Sequence, residues 1–480
     1  MPFNSLQFAA FFVVVFLLYL MLKHKWQNRL LLVASCVFYA AWDWRFLGLV
    51  FISITTDYLC ALKIHASDDE KIKKRFLVLS IITNLSILGF FKYFNFFSAN
   101  LTHLINMLGF SVQPHIFKII LPLGISFYTF KTMSYTIDVY TGKTAPTRSY
   151  LDYALFVSFF PLLLAGPIMR AGDLLPQIAS KRKLTLDKFY KGCYLIFWGL
   201  FQKVFVADNL ARIADQVFNA PPPYNGAAVL LATYAFAFQI YCDFAGYSNM
   251  AMGIGKCLGF DITLNFNLPY FATNPQDFWQ RWHITLSTWL RDYLYTPISF
   301  ALRRWGKWGI GCALMSTFLL CGLWHGAGWT FILWGAYWGA LIIIYSLLKP
   351  LLTRIPGPKN ALGRKLWFFV RVLFFFHLTC AGWLIFNSKG SMLAFTMLQG
   401  VFCNFHVGRG SGSGVGYNCI LMAKIIWFLL LVECAQFIKK DQMCVYRSNA
   451  IIKVLFYVIC FYAIILYGAL GEKQFVYMQF

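Results

Sequence analysis

Apolar runs that are long enough, or nearly long enough, to cross a bilayer recur from one end of the chain to the other. They restrict the fold more than any other feature, because a spanning helix needs about 20 mostly apolar residues. The runs cover residues 8–22, 30–41, 46–62, 76–91, 119–137, 151–169, 189–206, 226–250, 309–323, 329–348, 368–386, 420–438 and 454–470. We therefore predict an all-α, polytopic integral membrane protein whose natural solvent is the lipid bilayer.

Composition supports this prediction, because only 12% of the residues are charged and 59% are hydrophobic. An ordinary soluble domain has about 25% charged residues. A chain with so few polar groups cannot cover a water-facing surface, so we expect one integral membrane domain over residues 1–480. Lys23, Lys25 and Arg29 follow the first run, which is the order of a first spanning helix and not of a cleavable signal peptide.

Basic residues outnumber acidic residues by 42 to 18 and give the chain a formal net charge of +24. They fall in short clusters between apolar runs, as the positive-inside rule predicts, and not on a soluble face, so we expect no nucleic-acid binding. The 13 cysteines form no C-x-x-C pair and no zinc-like spacing with histidine, so we expect no metal site. Cys403 and Cys419 flank residues 408–416, a predicted external linker; we expect both thiols to be unpaired, with one disulfide as the alternative.

All basic clusters can lie on one side of the membrane only if residues 151–169 re-enter it or form a broken span. Pro161, Gly166 and Pro167 favour such a break, and irregular backbone at membrane depth must be buried in protein. We predict roughly 11 crossings plus re-entrant segments, with residues 93–118 amphipathic or interfacial. The basic clusters cover residues 23–29, 63–75, 181–191, 291–307, 349–371 and 439–453.

Histidines at membrane depth are functional candidates, because ionisable side chains are costly there. His325 lies in the break Trp324-His325-Gly326-Ala327-Gly328 between two apolar runs, where small residues let a substrate or another backbone approach closely. Histidine suits proton transfer near neutral pH, so His325 is either a catalytic residue or a packing residue. His377 has no polar companions nearby in the sequence, and we predict that it packs.

His283 lies in a segment rich in Trp and Arg, which leaves two interpretations open. Arg281 and Arg291 offer rigid groups of donors for phosphate or carboxylate, whereas Trp with Arg is also typical of a helix anchored at a membrane interface. Asp243, inside another apolar run, either lines a polar path or holds helices together.

Several stretches between about residues 120 and 340 resemble a known family. They include Pro122-Leu123-Gly124-Ile125-Ser126-Phe127-Tyr128-Thr129-Phe130 with Tyr135 and Ile137-Asp138-Val139-Tyr140, and also residues 160–168, 241–246, 277–295 and 321–335. In these segments the chain resembles the membrane-bound O-acyltransferase family, in particular its bacterial alginate O-acetylation branch.

The resemblance implies an acyltransferase in which His325, in the Trp-His-Gly segment, is essential and His283 is a second catalytic histidine. It implies a ring of membrane helices with a thinned centre, in the bacterial inner membrane. It also implies acetyl-CoA as a cytoplasmic donor substrate with no bound cofactor, a periplasmic SGNH-hydrolase-like acetyltransferase as partner, and a polysaccharide acceptor such as alginate. At position 387 relatives often carry Arg, whereas this chain has Asn387. The difference lies near the predicted external loop and bears on which acceptor or partner we expect.

Two alternatives remain at this point: a polysaccharide or lipid transporter without chemistry, or the same family with another acyl group or acceptor, such as peptidoglycan, lipopolysaccharide or D-alanylated teichoic acid. The basic cluster 291–307 either attracts CoA phosphates or only sets topology. The residues that we expect to line a substrate tunnel or bind the donor are Asp243, Arg281, Trp282, Arg291 and Trp324.

Overall fold

The computed structural model describes most of the chain, namely residues 1–354, 356–406, 414–469 and 475. Most of the linker predicted at residues 408–416 lies outside the described residues. Within the described part, every regular element is a helix, which confirms the all-α prediction. The chain divides into two compact units, residues 1–196 with 250–263 and residues 197–249 with 264–480. The single domain over residues 1–480 stays a prediction.

The first unit contains the N-terminal helices. The first of them starts at Ser5, whose Oγ accepts a hydrogen bond from the backbone N–H of Phe8 at 3.1 Å. In chain order the helices are α1 (Leu6–Met21), α2 (His24–Asp43), α3 (Leu47–Ala66), α4 (Glu70–Leu88), α5 (Phe94–Met107), α6 (Ile125–Tyr140), α7 (Tyr150–Ser158), α8 (Phe160–Leu163), α9 (Ala171–Ala179) and the first part of α10 (Leu186–Leu200).

A buried polar network joins α3, α4 and α6. Asp57 is fully buried and accepts hydrogen bonds from Ser80 Oγ at 2.6 Å and from Asn84 Nδ2 at 2.8 Å. Thr132 Oγ1 on α6 donates to Asn84 Oδ1 at 3.0 Å. A buried carboxyl group without partners would be costly, so these hydrogen bonds give Asp57 a structural role in helix association.

Residues 151–169 are broken, as their prolines and glycines predict. The helix α7 ends at Ser158, α8 begins at Phe160, and the chain is irregular around Pro167. These residues are almost entirely buried, which satisfies the requirement that irregular backbone be covered by protein. Gly124 fits against them in the left-handed region (φ 72°), where a Cβ would lie 2.4 Å from the carbonyl oxygen of Leu163.

Two predicted boundaries in the first unit are wrong. Residues 93–107 are helical and continue the preceding span, so that a largely exposed helix runs from Glu70 to Met107. The predicted span at 119–137 begins only at Ile125, because Pro122 cannot donate to a helix and Gly124 adopts a left-handed conformation.

The second unit begins within α10 and contains the remaining helices. The sequence did not predict α11, which is short and mixed in polarity, or α19, which is apolar but shorter than a span. The helices are α11 (Asp208–Phe218), most of α12 (Gly226–Cys257), α13 (Pro275–Trp279), α14 (Ile284–Leu290), α15 (Thr296–Ala301), α16 (Gly306–His325), α17 (Trp329–Leu352), α18 (Ala361–Asn387), α19 (Ser391–Cys403), α20 (Val415–Lys439) and α21 (Ala450–Tyr467).

The number of crossings differs from the prediction. Among the described residues, eight helices are long and apolar enough to cross a membrane, and two shorter apolar helices accompany them. The predicted number of roughly 11 crossings is therefore not confirmed. Cys403 and Cys419 are free cysteines.

The helices α16, α17 and α18 run back and forth past one another. A Cβ at Gly322 would lie 2.1 Å from the carbonyl oxygen of Phe331, and one at Gly335 would lie 2.2 Å from that of Phe318. These close approaches show that α16 and α17 are antiparallel and in backbone contact. Tyr337 of α17 donates a hydrogen bond to the carbonyl oxygen of Leu378 at 2.6 Å. Phe331, near the start of α17, lies 5.1 Å from Phe386 at the end of α18, whereas Trp338 further along α17 lies 6.4 Å from the earlier Phe375, so α17 and α18 are antiparallel as well.

This arrangement gives the three helices two distinct ends. The first end holds the start of α16, the end of α17 and the start of α18. Its cationic side chains are Arg303, Arg304, Lys307, Lys349, Arg354, Lys359, Arg364, Lys365 and Arg371. The second end holds His325, the start of α17 at Trp329, and Asn387. We call these the basic end and the His325 end.

Candidate active site and an adjoining cavity

His325 is the last residue of α16 and is buried, with 4% of its surface exposed. Three aromatic rings surround its imidazole edge-on. The centroid distances are 4.9 Å to Trp324, 4.9 Å to Trp334 and 5.5 Å to Phe386. The imidazole therefore lies in a dry aromatic environment that fixes its position.

The glycines around His325 serve internal packing. A Cβ at Gly326 would lie 2.1 Å from the ring of Phe331, and Gly322 contacts the backbone of the same residue. The sequence predicted that small residues would admit a substrate or another backbone. At Gly322 and Gly326 the space is occupied by Phe331, which locks the helix end that carries His325.

His283 is fully buried and precedes α14 in the left-handed conformation (φ 43°). Its Nδ1 lies 3.1 Å from Asn265 Oδ1, which also accepts a hydrogen bond from Thr285 Oγ1 at 2.9 Å. Because an amide oxygen only accepts, the neutral imidazole carries its proton on Nδ1 and its lone pair on Nε2. Asn265 thus orients His283.

Trp324 contacts both histidines. Its ring centroid is 6.1 Å from that of His283 and 4.9 Å from that of His325. Phe244 packs against the other side of His283 at 4.6 Å, edge to face. The fold therefore brings together His283, Trp324 and His325, three catalytic or substrate-binding candidates selected from the sequence, although His283 and His325 are 42 positions apart in the chain.

Trp282 belongs to an aromatic cluster next to this group. It lies 4.8 Å from Trp383 and stacks on Phe278 at 5.6 Å. Trp383 stacks in turn on Trp334, 6.2 Å away, and Trp334 contacts His325. The cluster therefore surrounds the buried His325 with apolar rings.

The two predicted arginines have acidic partners. Arg281 pairs with Asp277 at 2.7 Å, and Arg291 pairs with Asp292 at 2.8 Å. The Arg291 side chain is 62% exposed, so its ion pair contributes little to stability. Neither arginine is among the described residues that contact His325, and donor binding by either stays a prediction.

Asp243 belongs to a buried ion cluster that the sequence did not reveal. Lys203 Nζ lies 2.6 Å from Asp243 Oδ1 and 2.9 Å from Asp208 Oδ1. All three side chains are at least nine-tenths buried. Lys203 lies on the π-helical segment Phe201–Ala207, and such segments often occur at functional sites. A lysine inside the apolar run 189–206 was the one signal that could have indicated this cluster.

The ion cluster borders a cavity of about 790 Å³ at the His325 end, a volume typical of ligand sites. Phe386 lines the cavity on one side and contacts His325 on the other. The lining residues are Lys203, Ala207, Asp208, Ala211, Asp215, Phe218, Asn219, Gln239, Asp243, Gly328, Trp329, Thr330, Phe331, Phe386, Asn387, Ser388, Lys389, Gly390 and Ser391.

A second buried carboxyl group lies on α20. Glu433 accepts a hydrogen bond from the Tyr241 hydroxyl at 2.6 Å, and both residues are buried. Tyr241 also packs 6.2 Å from Trp282. This hydrogen bond ties α20 to the helix that carries Asp243, and its role is structural.

Comparison with known proteins identifies the family. The model of the membrane-bound O-acyltransferase family matches residues 145–386, a range that includes both His283 and His325. The probable alginate O-acetylase of Azotobacter vinelandii is 42% identical over 405 residues, 84% of this chain and 78% of the relative. That of Pseudomonas aeruginosa is 42% identical over 406 residues, 84% of this chain and 75% of the relative. The peptidoglycan O-acetyltransferase of Helicobacter pylori is 38% identical over 367 residues, 70% of this chain and 68% of the relative.

These matches confirm the resemblance seen in the sequence and give the protein O-acyltransferase activity, so that the alternative of a transporter without chemistry is not supported. The apolar helices agree with a family of membrane proteins. The chain is therefore a multi-pass membrane O-acyltransferase and belongs to the membrane-bound O-acyltransferase family.

Proposed function

We propose that the protein moves an acetyl group from cytoplasmic acetyl-CoA, by way of His325, to an acceptor on the other side of the membrane, so that a cell-surface or exported polysaccharide such as alginate becomes O-acetylated. One observation carries the proposal: His325 is buried in an aromatic environment at the end of α16, and Phe386 separates it from a cavity of about 790 Å³. The names of the three relatives, two alginate O-acetylases and one peptidoglycan O-acetyltransferase, support acetyl as the acyl group.

The distribution of charge supports the direction of transfer. The basic end carries nine Lys and Arg residues between Arg303 and Arg371, with no Asp or Glu in that range. The positive-inside rule assigns such an end to the cytoplasm, where these cations would attract the phosphates of acetyl-CoA. We accordingly assign the protein to the bacterial inner membrane, with the His325 end on the periplasmic side.

Two chemical routes lead through His325. In the direct route, the acceptor hydroxyl oxygen attacks the thioester carbonyl, His325 takes the hydroxyl proton, and the C–S bond breaks. The proton then passes to the departing CoA thiolate. In the relay route, an imidazole nitrogen of His325 attacks the thioester, CoA leaves as the thiol, and the acetylated imidazole transfers its acetyl group to the hydroxyl. His283, oriented by Asn265 and linked to His325 through Trp324, is the second catalytic candidate.

The proposal includes a partner. A periplasmic SGNH-hydrolase-like acetyltransferase would receive the acetyl group at the His325 end and deliver it to the polymer. The acceptor or partner would meet the surface at Asn387 and the exposed Lys389, which also line the cavity. Co-purification of such a protein with the full chain, lost when this surface is altered, would support that step.

Replacement of His325 tests the proposed function. In proteoliposomes supplied with radiolabelled acetyl-CoA, His325→Ala should fold and insert normally but lose label transfer by at least about a hundredfold, because a positioned acid–base group contributes roughly that much. The same assay can be run with donors that carry D-alanyl or longer acyl groups. If one of these groups is transferred in place of acetyl, the acyl group named in the proposal changes, but the proposed role of His325 does not.

The matched control is His377→Ala on α18. His377 donates from Nδ1 to the carbonyl oxygen of Leu373 at 2.7 Å and accepts at Nε2 from the Tyr234 hydroxyl at 2.7 Å. It is exposed on the helix surface, so its removal should leave transfer within about twofold. Undiminished label transfer by the His325→Ala protein would refute the proposed function.

A further inference from the structure

The cavity at the His325 end is polar, whereas the surroundings of His325 are apolar. Lys203, Asp208, Asp243 and Gln239 all border the cavity, whose volume is about 790 Å³. A space of this size and polarity is suited to hold water. The imidazole of His325 is instead enclosed by aromatic rings. A barrier must therefore separate water in the cavity from an acetyl group at His325.

Phe386 lies where this barrier is needed. Its side chain borders the cavity and is 1% exposed, and its ring centroid lies 5.5 Å from that of the His325 imidazole. Because Phe386 contacts both, a water molecule or a hydroxyl group that comes from the cavity meets this ring before it reaches the imidazole.

Of two neighbouring rings on the cavity wall, one is fixed and the other has room to move. Phe331 packs 5.1 Å from Phe386 and fills the space beside Gly326, where a Cβ would lie 2.1 Å from its ring. Phe386 has Trp334 at 5.3 Å on its protein side and the open cavity on its other side. Protein interiors are close-packed, so a buried ring moves only toward free space. For Phe386, that space is the cavity.

The backbone after Phe386 also leaves room for movement. The helix α18 ends one residue later, at Asn387, and Ser388 is extended. A Cβ at Gly390 would have no atom within 4 Å. Residues at the ends of helices commonly absorb the dihedral changes of gating motions.

We infer that Phe386 is a gate: with its ring against His325 it keeps water from the acetyl group, and with its ring in the cavity it admits the hydroxyl group of the acceptor or partner. The inference rests on the proposed function and adds a residue that determines whether acetyl is transferred or hydrolysed. In hydrolysis, water attacks the acetyl carbonyl carbon, the bond to sulfur or to the imidazole nitrogen breaks, and the net products are acetate, a proton and the CoA thiol.

Chemical labelling tests the gate without any acyl donor. Diethyl pyrocarbonate carbethoxylates accessible imidazole nitrogens, and mass spectrometry of the full chain in nanodiscs gives the rate at each histidine. Phe386→Ala should raise the rate at His325 by at least about tenfold, because the truncation opens the imidazole to the cavity. The rate at the fully buried His283 should stay unchanged, which would show that the opening is local.

The matched control is Phe375→Ala on the same helix. Phe375 is also buried, packs 6.1 Å from Phe278 and does not border the cavity. Its truncation should lower the midpoint of unfolding about as much as Phe386→Ala does, but labelling of His325 should stay within about twofold of the unmodified protein. Phe386→Leu keeps much of the apolar bulk and should give an intermediate rate.

Release of CoA from acetyl-CoA without acceptor is the second measurement. Phe386→Ala should release CoA at least about tenfold faster than the unmodified protein, because water then reaches the acetyl group. Addition of His325→Ala to this variant should remove the gain, since the hydrolysis depends on His325.

Unchanged labelling of His325 in the Phe386→Ala protein, or an equal rise in the Phe375→Ala protein, would overturn the inference. Acceptor-free release of CoA that does not rise in a Phe386→Ala protein active in transfer would overturn it as well. The proposed function is judged separately, by transfer that depends on His325 in the unmodified protein. If that transfer occurs while labelling does not rise, only the gate fails; if labelling rises but the unmodified protein transfers no acetyl group, the proposed function fails.

Discussion

The basic end and the His325 end of α16, α17 and α18 belong to the same three helices but differ in charge, exposure and packing. At the basic end, every Lys and Arg from Arg303 to Arg371 is exposed. At the His325 end, the charged groups Lys203, Asp208 and Asp243 are buried and paired. Exposed charges set orientation and attract ligands over a distance, whereas buried charges define the shape and selectivity of a site.

The closeness of packing also differs along α16. A Cβ at Gly322, near His325, would lie 2.1 Å from a backbone carbonyl, whereas Gly311, nearer the basic end of the same helix, has no atom within 4 Å of such a Cβ. The packing of α16 against α17 is therefore tight at Gly322, whereas the face of α16 at Gly311 is open; Gly309 packs closely against Leu302, where a Cβ would lie 2.2 Å from its carbonyl oxygen. Acyl transfer needs close packing where the reacting groups meet.

The largest effect on stability should come from Lys203→Met. The change leaves Asp208 and Asp243 buried without their cation, which costs about 3–5 kcal/mol of unfolding free energy. Unfolding in SDS measures it, and further replacement of both carboxylates by Asn should restore most of the loss. Lys389→Met, an exposed cation at the cavity mouth, is the control and should cost under about 0.5 kcal/mol. Equal effects of the two lysine variants would show that the cluster does not stabilise this end.

Gly322→Val should be next in size. Its side chain would collide with the backbone at Phe331, which cannot move without separating α16 from α17, at a cost of about 1–3 kcal/mol. Label transfer should fall more than stability does, because His325 follows one turn later. Gly311→Val on the open side of the same helix should change neither measurement appreciably. If Gly322→Val left both the stability and the label transfer unchanged, the close packing described at Gly322 would be contradicted.

The basic end should affect donor binding and not stability. Combined replacement of Arg303, Arg304 and Lys307 by Ser should raise KM for acetyl-CoA by roughly tenfold at low salt, since each cation near a surface contributes up to about 1 kcal/mol. The difference from the unmodified protein should shrink as salt is added. An unchanged KM would mean that these cations only set topology.

Arg291→Gln should have the smallest effect. Asp292 neutralises this exposed arginine at 2.8 Å, so stability should fall by no more than about 0.5 kcal/mol. For the same reason KM for acetyl-CoA should rise by less than about twofold. A rise as large as that of the triple variant would assign Arg291 to the donor site, as the sequence had suggested.

Local sequence patterns predicted the helical fold and selected His283 and His325 as catalytic candidates because these signals lie within single segments; the catalytic roles of the two histidines stay predictions. Pro161 and Pro167 lie where the helical run 151–169 is interrupted, and the Trp-His-Gly segment around His325 combines an ionisable group with small residues. The helix ends were less predictable. The apolar run predicted a span that ends at residue 91, but the polar residues after Tyr93 are also helical and the helix continues to Met107.

The cavity could not be predicted, because its groups come from distant segments. Lys203 meets Asp243 only through the packing of α12 against the π-helical segment, and Phe386 reaches His325 only through the antiparallel path of α18. Asp243 alone left two interpretations open. The ion pair with Lys203 supports helix association, and the position of both residues on the cavity wall supports the polar path as well.

The sidedness of transfer tests the central claim most directly, namely that the donor enters at the basic end and the acceptor reacts at the His325 end. Proteoliposomes with the protein in one known orientation receive radiolabelled acetyl-CoA, which cannot cross the bilayer, on the side of Arg303. The account predicts that labelled acetyl groups appear on acceptor supplied only on the opposite side, and that His325→Ala abolishes this. Label that appears only on acceptor on the donor side, or that requires acetyl-CoA on the side of Asn387, would contradict it.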